Sequence, residues 1–127
     1  MNGQGLRPPE TGRPVFVLDV LLGIREEALR GRPLWFFFGT ENAEVMWAYI
    51  LGYVDACHRN GLNDEEWSRF LDWLADVKHE LPEGGGWVKK YLDECGGQHG
   101  KAMMRFLDVV AEFAATQLTK DGHPSGP

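Results

Sequence analysis

The sequence has only two cysteines, Cys57 and Cys95, in 127 residues. Two thiols cannot build a disulfide scaffold, and reduced core thiols are the expected use. No apolar run approaches the roughly 18–20 residues that span a bilayer. The opening MNGQGLRPPETGRP lacks the apolar centre of a secretory signal and does not follow the myristoylation pattern. Together these absences make a cytoplasmic protein the expectation. Basic residues are also short: 13 Lys and Arg stand against 19 Asp and Glu, giving a net charge of −6. A pI near 5.1 argues against binding nucleic acid, where phosphates require clustered Lys and Arg, and against an anionic membrane surface. Convincing strand alternation, internal repeats and catalytic signatures are missing as well.

What is present suits one globular domain. The hydrophobic content is 43% with five tryptophans, enough for a single core without metal or disulfide support. The negative charge is confined to residues 40–80. Nine acids stand there against Arg59, Arg69 and Lys78, beside Trp47, Tyr49, Tyr53, Trp67, Phe70 and Trp73. Such a stretch can pack an aromatic core and present an acidic surface.

The apolar spacing predicts an all-α fold, a single-domain bundle of about five helices over residues 15–118. Residues 1–14, rich in Gly, Pro and Arg, read as a flexible N-terminal arm, and 119–127 as a frayed C-terminal tail. The first helix is expected over 16–30, on Val17, Val20, Leu21, Ile24 and Ala28, with Gly31 and Pro33 as the stop. Leu34-Trp35-Phe36-Phe37-Phe38-Gly39 is ambiguous between a buried strand and a short turn. A lone strand would have no backbone partner, so an extended or single-turn connector under the bundle is the reading.

A second and central helix is expected from Thr40 or Glu41 to Asn60, with Thr40 as N-cap. Gly52 lies in it, and a close helix crossing there would explain a residue that costs about 1 kcal/mol in helix propensity. Asn63 with Glu66 has the form of a capping box for a third helix. On it Trp67, Phe70, Leu71, Leu74, Val77 and Leu81 should face inward, and Asp64, Glu65, Asp72, Asp76 and Lys78 outward. After Pro82 and Gly84-Gly85-Gly86, a short helix over 87–94 and a last one over 100–117 complete the set, joined by a turn at Gly96, Gly97 and Gly100.

Several constellations fail as chemistry. Cys57-His58 and Cys95-x3-His99 have the composition of a zinc set. Adjacent helical residues diverge by about 100° and make a poor chelate, so no metal is expected. A Cys/His nucleophile pairing with His79 or His99 has almost no specificity. The run from Cys95 to Ala102 has the outline of a phosphate loop but lacks its first Gly, its Ser or Thr and a preceding strand. Paired acids such as Glu65/Asp72 or Asp72/Asp76 are more simply a solvated or recognition surface than an acid–base pair. The expectation is a non-catalytic protein that needs no cofactor.

Two surfaces remain. Trp35, Phe36, Phe37 and Phe38 mostly suit the core, yet consecutive large apolar residues cannot all point inward, so part of them forms a candidate oligomer patch for a homodimer. Trp73 sits at the edge of its helix's apolar face, beside Asp72 and Asp76.

Arg32-Pro33-Leu34-Trp35, then Gly39, then Ala48-Tyr49-Ile50-Leu51-Gly52-Tyr53 and Ala56, stand in a recognisable order. They are followed by Phe70-x2-Trp73-Leu74, Gly86-Trp87 and Ala102-x3-Phe106-x6-Phe113. Over residues 18–115 this resembles a loose group of small bacterial all-helical proteins, some of them like immunity proteins encoded beside secreted toxins. The resemblance carries no catalytic residue onto this chain. It implies a cytosolic protein that neutralises a basic toxin by covering its active site. Combined with the acidic middle third, it makes Glu65, Asp72, Asp76 and Trp73 the expected partner-binding face, with the acids steering and Trp73 as anchor. The alternative is a homo-oligomeric structural or regulatory adaptor using the aromatic patch.

Overall fold

Six helices and no strand occur among the described residues, 15–79 and 86–121 of the computed structural model. The arm read at residues 1–14, the junction at 80–85 with Leu81 and Pro82, and residues 122–127 of the tail lie outside them. The bundle has one helix more than the apolar spacing predicts, because the aromatic connector is itself a helical turn.

Helix α1 (Val17–Leu29) buries Val17, Leu18, Leu21 and Ile24. Gly31, at φ +104°, turns the chain at its end, a conformation that favours glycine. Helix α2 (Trp35–Phe38) is a single turn closed by the Gly39 amide donating to the Trp35 carbonyl at 2.8 Å. Leu34 and Phe38, four residues apart, share its inner side and are buried. Trp35 and Phe36 remain 55% and 56% exposed, and Phe37 is half-buried. The four aromatics are therefore divided between core and surface.

Helix α3 (Ala43–Arg59) buries Ala43, Met46 and Ile50, with Trp47, Tyr53, Val54 and Cys57 half-buried beside them. Its N-cap is Asn42, not Thr40. The Asn42 side chain accepts from the Glu44 and Val45 amides, at 2.9 and 3.1 Å. Gly52 is exposed, and a methyl group placed on it would meet nothing within 4 Å. The close crossing expected at Gly52 does not occur within the described residues.

Helix α4 (Glu65–Asp76) is strongly two-sided and buries Trp67, Phe70 and Leu74. Asp64 is its N-cap, displacing the expected Asn63 box, and Asp64 is buried where an outward position was expected. Val77, expected inside, is 61% exposed because the helix ends one residue before it. Helix α5 (Gly86–Glu94) buries Trp87, Val88 and Tyr91. Gly96 and Gly97, both at positive φ, form the turn into α6 (His99–Asp121), whereas Gly100 already lies in that helix.

The central helix is α6 rather than α3: it packs against α1, α3, α4 and α5. It buries Ala102, Met103, Phe106, Leu107, Val110 and Phe113. The Phe106 ring stacks on Trp87 at 4.3 Å and meets Phe70 edge-on at 5.8 Å and Trp47 at 6.1 Å. Phe70 continues the cluster to Phe113 at 5.4 Å. Each such ring pair adds about 0.5–1.5 kcal/mol beyond the area it buries. One aromatic core thus ties four helices together and fixes which face of α4 looks outward. No helix among the described residues is long and apolar enough to cross a membrane.

Candidate functional site

The outward face of α4 follows from its core contacts. With Trp67, Phe70 and Leu74 turned inward, residues 65, 69, 72 and 76 fall on one stripe at helical spacing, roughly 16 Å long at about 1.5 Å per residue. Glu65, Arg69, Asp72 and Asp76 are all exposed there. Arg69 stands alone among three acids. Neither Asp72 nor Asp76 has an ion-pair partner among the described residues. Glu65 takes only a hydrogen bond from Asn63 Nδ2, at 3.2 Å.

The structure therefore brings three of the four expected contact residues onto one open surface. The fourth, Trp73, is half-buried on its flank. Its ring lies 6.1 Å from Phe70 in a stacked pose and 5.4 Å from Phe113. Lys78 Nζ stands 6.0 Å from the centre of that ring and 3.2 Å from Glu112 Oε2 on α6. Trp73 is a fixed wall beside the acidic stripe, with part of its surface committed to the core.

A second acidic group lies where α4 begins. Asp64 Oδ1 accepts the Trp67 amide at 3.0 Å, and Asp64 Oδ2 is buried with no hydrogen-bond partner among the described residues. Glu66 is half-buried beside it. Burial, and then the carboxylates of Asp19 on α1 and Asp64, push the Glu66 carboxyl above the usual glutamate range, while Arg69 opposes this. Tyr53 of α3 belongs to the same corner. Its hydroxyl donates to the Val15 carbonyl at 2.5 Å. Burial first, then Cys57, Tyr49, Asp19 and Asp64, raise its ionisation above the ordinary tyrosine value. The sequence reading missed this corner because Asp19 arrives from a different helix. The one available signal was the position of Asp64 directly before the first turn of α4.

The aromatic turn forms the other candidate surface. The Arg32 guanidinium lies 4.6 Å from the centre of the Phe36 ring, and the Phe38 ring meets Tyr49 of α3 edge-on at 5.1 Å. The exposed Trp35 and Phe36 therefore ride on a turn whose inner side is docked on α3.

Three open grooves among the described residues measure about 350–440 Å3. One of them, of about 440 Å3, runs along α6 between Lys78, Lys101 and Arg105 and the acids Asp108 and Glu112. It is crossed by the Lys78–Glu112 pair, and Arg25 of α1 reaches Asp108 at its edge, at 2.9 Å. Cys57 and Cys95 are unpaired and half-buried, and no three His, Cys, Asp or Glu among the described residues converge as a metal site. Comparison with protein-family models, curated proteins and solved structures finds no match, so no relative assigns roles to these residues.

Proposed function

We propose that this protein is a non-catalytic protein-binding domain whose acidic α4 face, formed by Glu65, Asp72 and Asp76, engages a basic protein partner. The observation that carries the reading is the exposed stripe in which Asp72 and Asp76 have no ion-pair partner among the described residues. Three acids against the single Arg69 leave this helix face net negative, and such a face raises the association rate of an oppositely charged partner. Trp73 supplies a preformed aromatic wall for contact once the partner has arrived. A toxin covered by an acidic neutralising protein in the cytoplasm is the narrower form of this proposal, and it rests on the family resemblance alone.

The test is a pull-down of the tagged protein from its native host, including products of neighbouring genes, followed by mass spectrometry of the intact complex. A one-to-one complex with a basic protein, lost when Asp72 and Asp76 are replaced by Lys, is the expected result. A partner retained equally by the charge-reversed variant would overturn the assignment of this face.

A second reading, a self-associating adaptor, is favoured by a separate observation: Trp35 and Phe36 stand more than half exposed on a docked helical turn. Large exposed aromatics in a contiguous patch mark interaction surfaces.

A further inference from the structure

Ten consecutive residues of α3, Val45 to Val54, include no charged side chain. A helix that is apolar all round is one covered all round. Yet among the described residues only one side of this stretch meets the bundle. Val45, Ala48, Tyr49, Gly52 and Ala56 are exposed on the side opposite the buried Met46 and Ile50. An ordinary surface helix would place Lys, Glu or Arg at these positions.

Gly52 is the second anomaly. It lies mid-helix with ordinary helical backbone, and open space surrounds the position its Cβ would take. Nothing within the described molecule requires glycine there, and glycine weakens the helix. A neighbour brought close from outside would require it, as would the small Ala48 and Ala56 one turn to either side.

We infer that this outward face of α3 is a homodimer interface, in which α3 packs antiparallel on the α3 of a second copy and the two helices cross at Gly52. This inference rests on the self-association reading above and names its surface. Charge selects the occupant and the direction. The protein carries −6 overall, so two copies repel except across a surface free of charge, and 45–54 is such a surface. A basic partner has no acid to meet on it. Along one flank, Glu44 lies near the start of the helix and Arg59 at its end, both exposed, with Arg59 already holding Asp55 of its own helix at 2.7 Å and keeping its other N–H groups for a second acid. An antiparallel crossing sets Glu44 beside the partner's Arg59, and a parallel one sets Glu44 beside the partner's Glu44. Antiparallel packing also opposes the two helix dipoles favourably.

A two-fold axis at Gly52 makes the patch self-complementary, as an isologous interface requires. The exposed parts of Trp35, Phe36 and Tyr49 alone offer on the order of 300 Å2. A stable dimer needs about 600–1,000 Å2 from each copy, and Val45, Ala48, Leu51 and Ala56 extend the patch toward that.

The test is sedimentation or light scattering of the full chain at micromolar concentration. Wild type is expected at twice 14.3 kDa. Gly52→Arg and Ala48→Arg, on exposed positions, are expected to run as monomers with unchanged circular dichroism. Gly52→Ala gives an opposed pair of effects that misfolding cannot mimic: a higher unfolding midpoint for the monomer and a dimer dissociation constant raised about tenfold. A wild-type monomer throughout overturns both this inference and the self-association reading. A dimer that survives Gly52→Arg but dissociates on Trp35→Ser with Phe36→Ser keeps that reading and overturns the α3 interface.

Discussion

The Ala43 amide donates to Nδ1 of His99 at 2.9 Å, so the first free N–H of α3 is capped by the first residue of α6. Asn42 serves the next two: its side chain takes the Glu44 and Val45 amides, while its carbonyl accepts the first ordinary helix bond, from Met46. The first three N–H groups of α3 are thereby satisfied from outside the helix, and the Met46 amide begins its internal ladder. The two helix starts press closely together, for a methyl group on Gly100 would stand 2.7 Å from Glu41 Oε1.

His99→Ala leaves the fully buried Ala43 without a partner for its amide. The expected loss is about 1–3 kcal/mol, the cost of an unsatisfied buried donor. His99→Asn, which keeps an acceptor on a short side chain, should lose less. Urea unfolding of the three proteins at neutral pH checks the order, and equal midpoints for wild type and His99→Ala would show that the bond contributes nothing.

Glu66 gives a pH dependence with a definite sign. The Glu66 carboxyl is raised by its own burial and by Asp19 and Asp64, so the folded state binds its proton more tightly than the unfolded chain does. Stability from this group is then gained as pH falls through the raised value and lost as pH rises above it. Glu66→Gln should be more stable than wild type at neutral pH by roughly a few tenths of a kcal/mol, since the site is partly solvated. The advantage should vanish below the ordinary glutamate range, where both proteins carry a neutral group. Asp64→Ala, by contrast, removes the α4 cap and should cost about 1 kcal/mol at neutral pH. Thermal melts across the acid range separate the two effects.

The helices were legible because the apolar period is local. Val17, Leu21 and Ile24, or Trp67, Phe70 and Leu74, reveal their inner faces within one short window. The acidic stripe was legible for the same reason, since the inward positions of α4 leave 65, 72 and 76 outside. Caps were not. Thr40 and Asn42, like Asn63 and Asp64, are all chemically able to cap, and the choice at α3 accompanies His99 arriving from 56 residues away. Nor could the sequence tell that α6 is central, because α3 is apolar on more faces than the bundle covers. The Asp19–Asp64–Glu66 corner needs two helices to exist and has no local signature.

The aromatic turn makes a prediction within four residues. Phe38 is buried, so Phe38→Ala should cost about 3–5 kcal/mol, as for other large core truncations. In the monomer, at dilute concentration, Trp35→Ala is expected to change stability by no more than about 0.5 kcal/mol, its ring being exposed there. Phe36→Ala should cost slightly more through the Arg32 contact at 4.6 Å, a cation–π pair worth about 0.5–1 kcal/mol at the surface. Chemical denaturation of the three variants at one protein concentration provides the comparison. Similar losses for Phe38 and Trp35 would mean that both rings are covered in solution.

The acidic stripe makes a kinetic prediction. Asp72 and Asp76 have no ion-pair partner among the described residues, so replacing both with Lys should leave stability within about 0.5 kcal/mol of wild type. Association with a basic partner should slow by about tenfold or more at low ionic strength, because steering acts on encounter. That difference should shrink as salt is raised toward 1 M, where screening acts over about 3 Å. Trp73→Ala acts differently. Its ring packs on Phe70 and Phe113, so the variant should lose stability as well as bind with a faster dissociation rate and a nearly unchanged association rate. Stopped-flow binding at two salt concentrations distinguishes the acids from the tryptophan by which rate each one moves. Association rates that are equal for wild type and the double Lys variant at low salt would take α4 out of the interface.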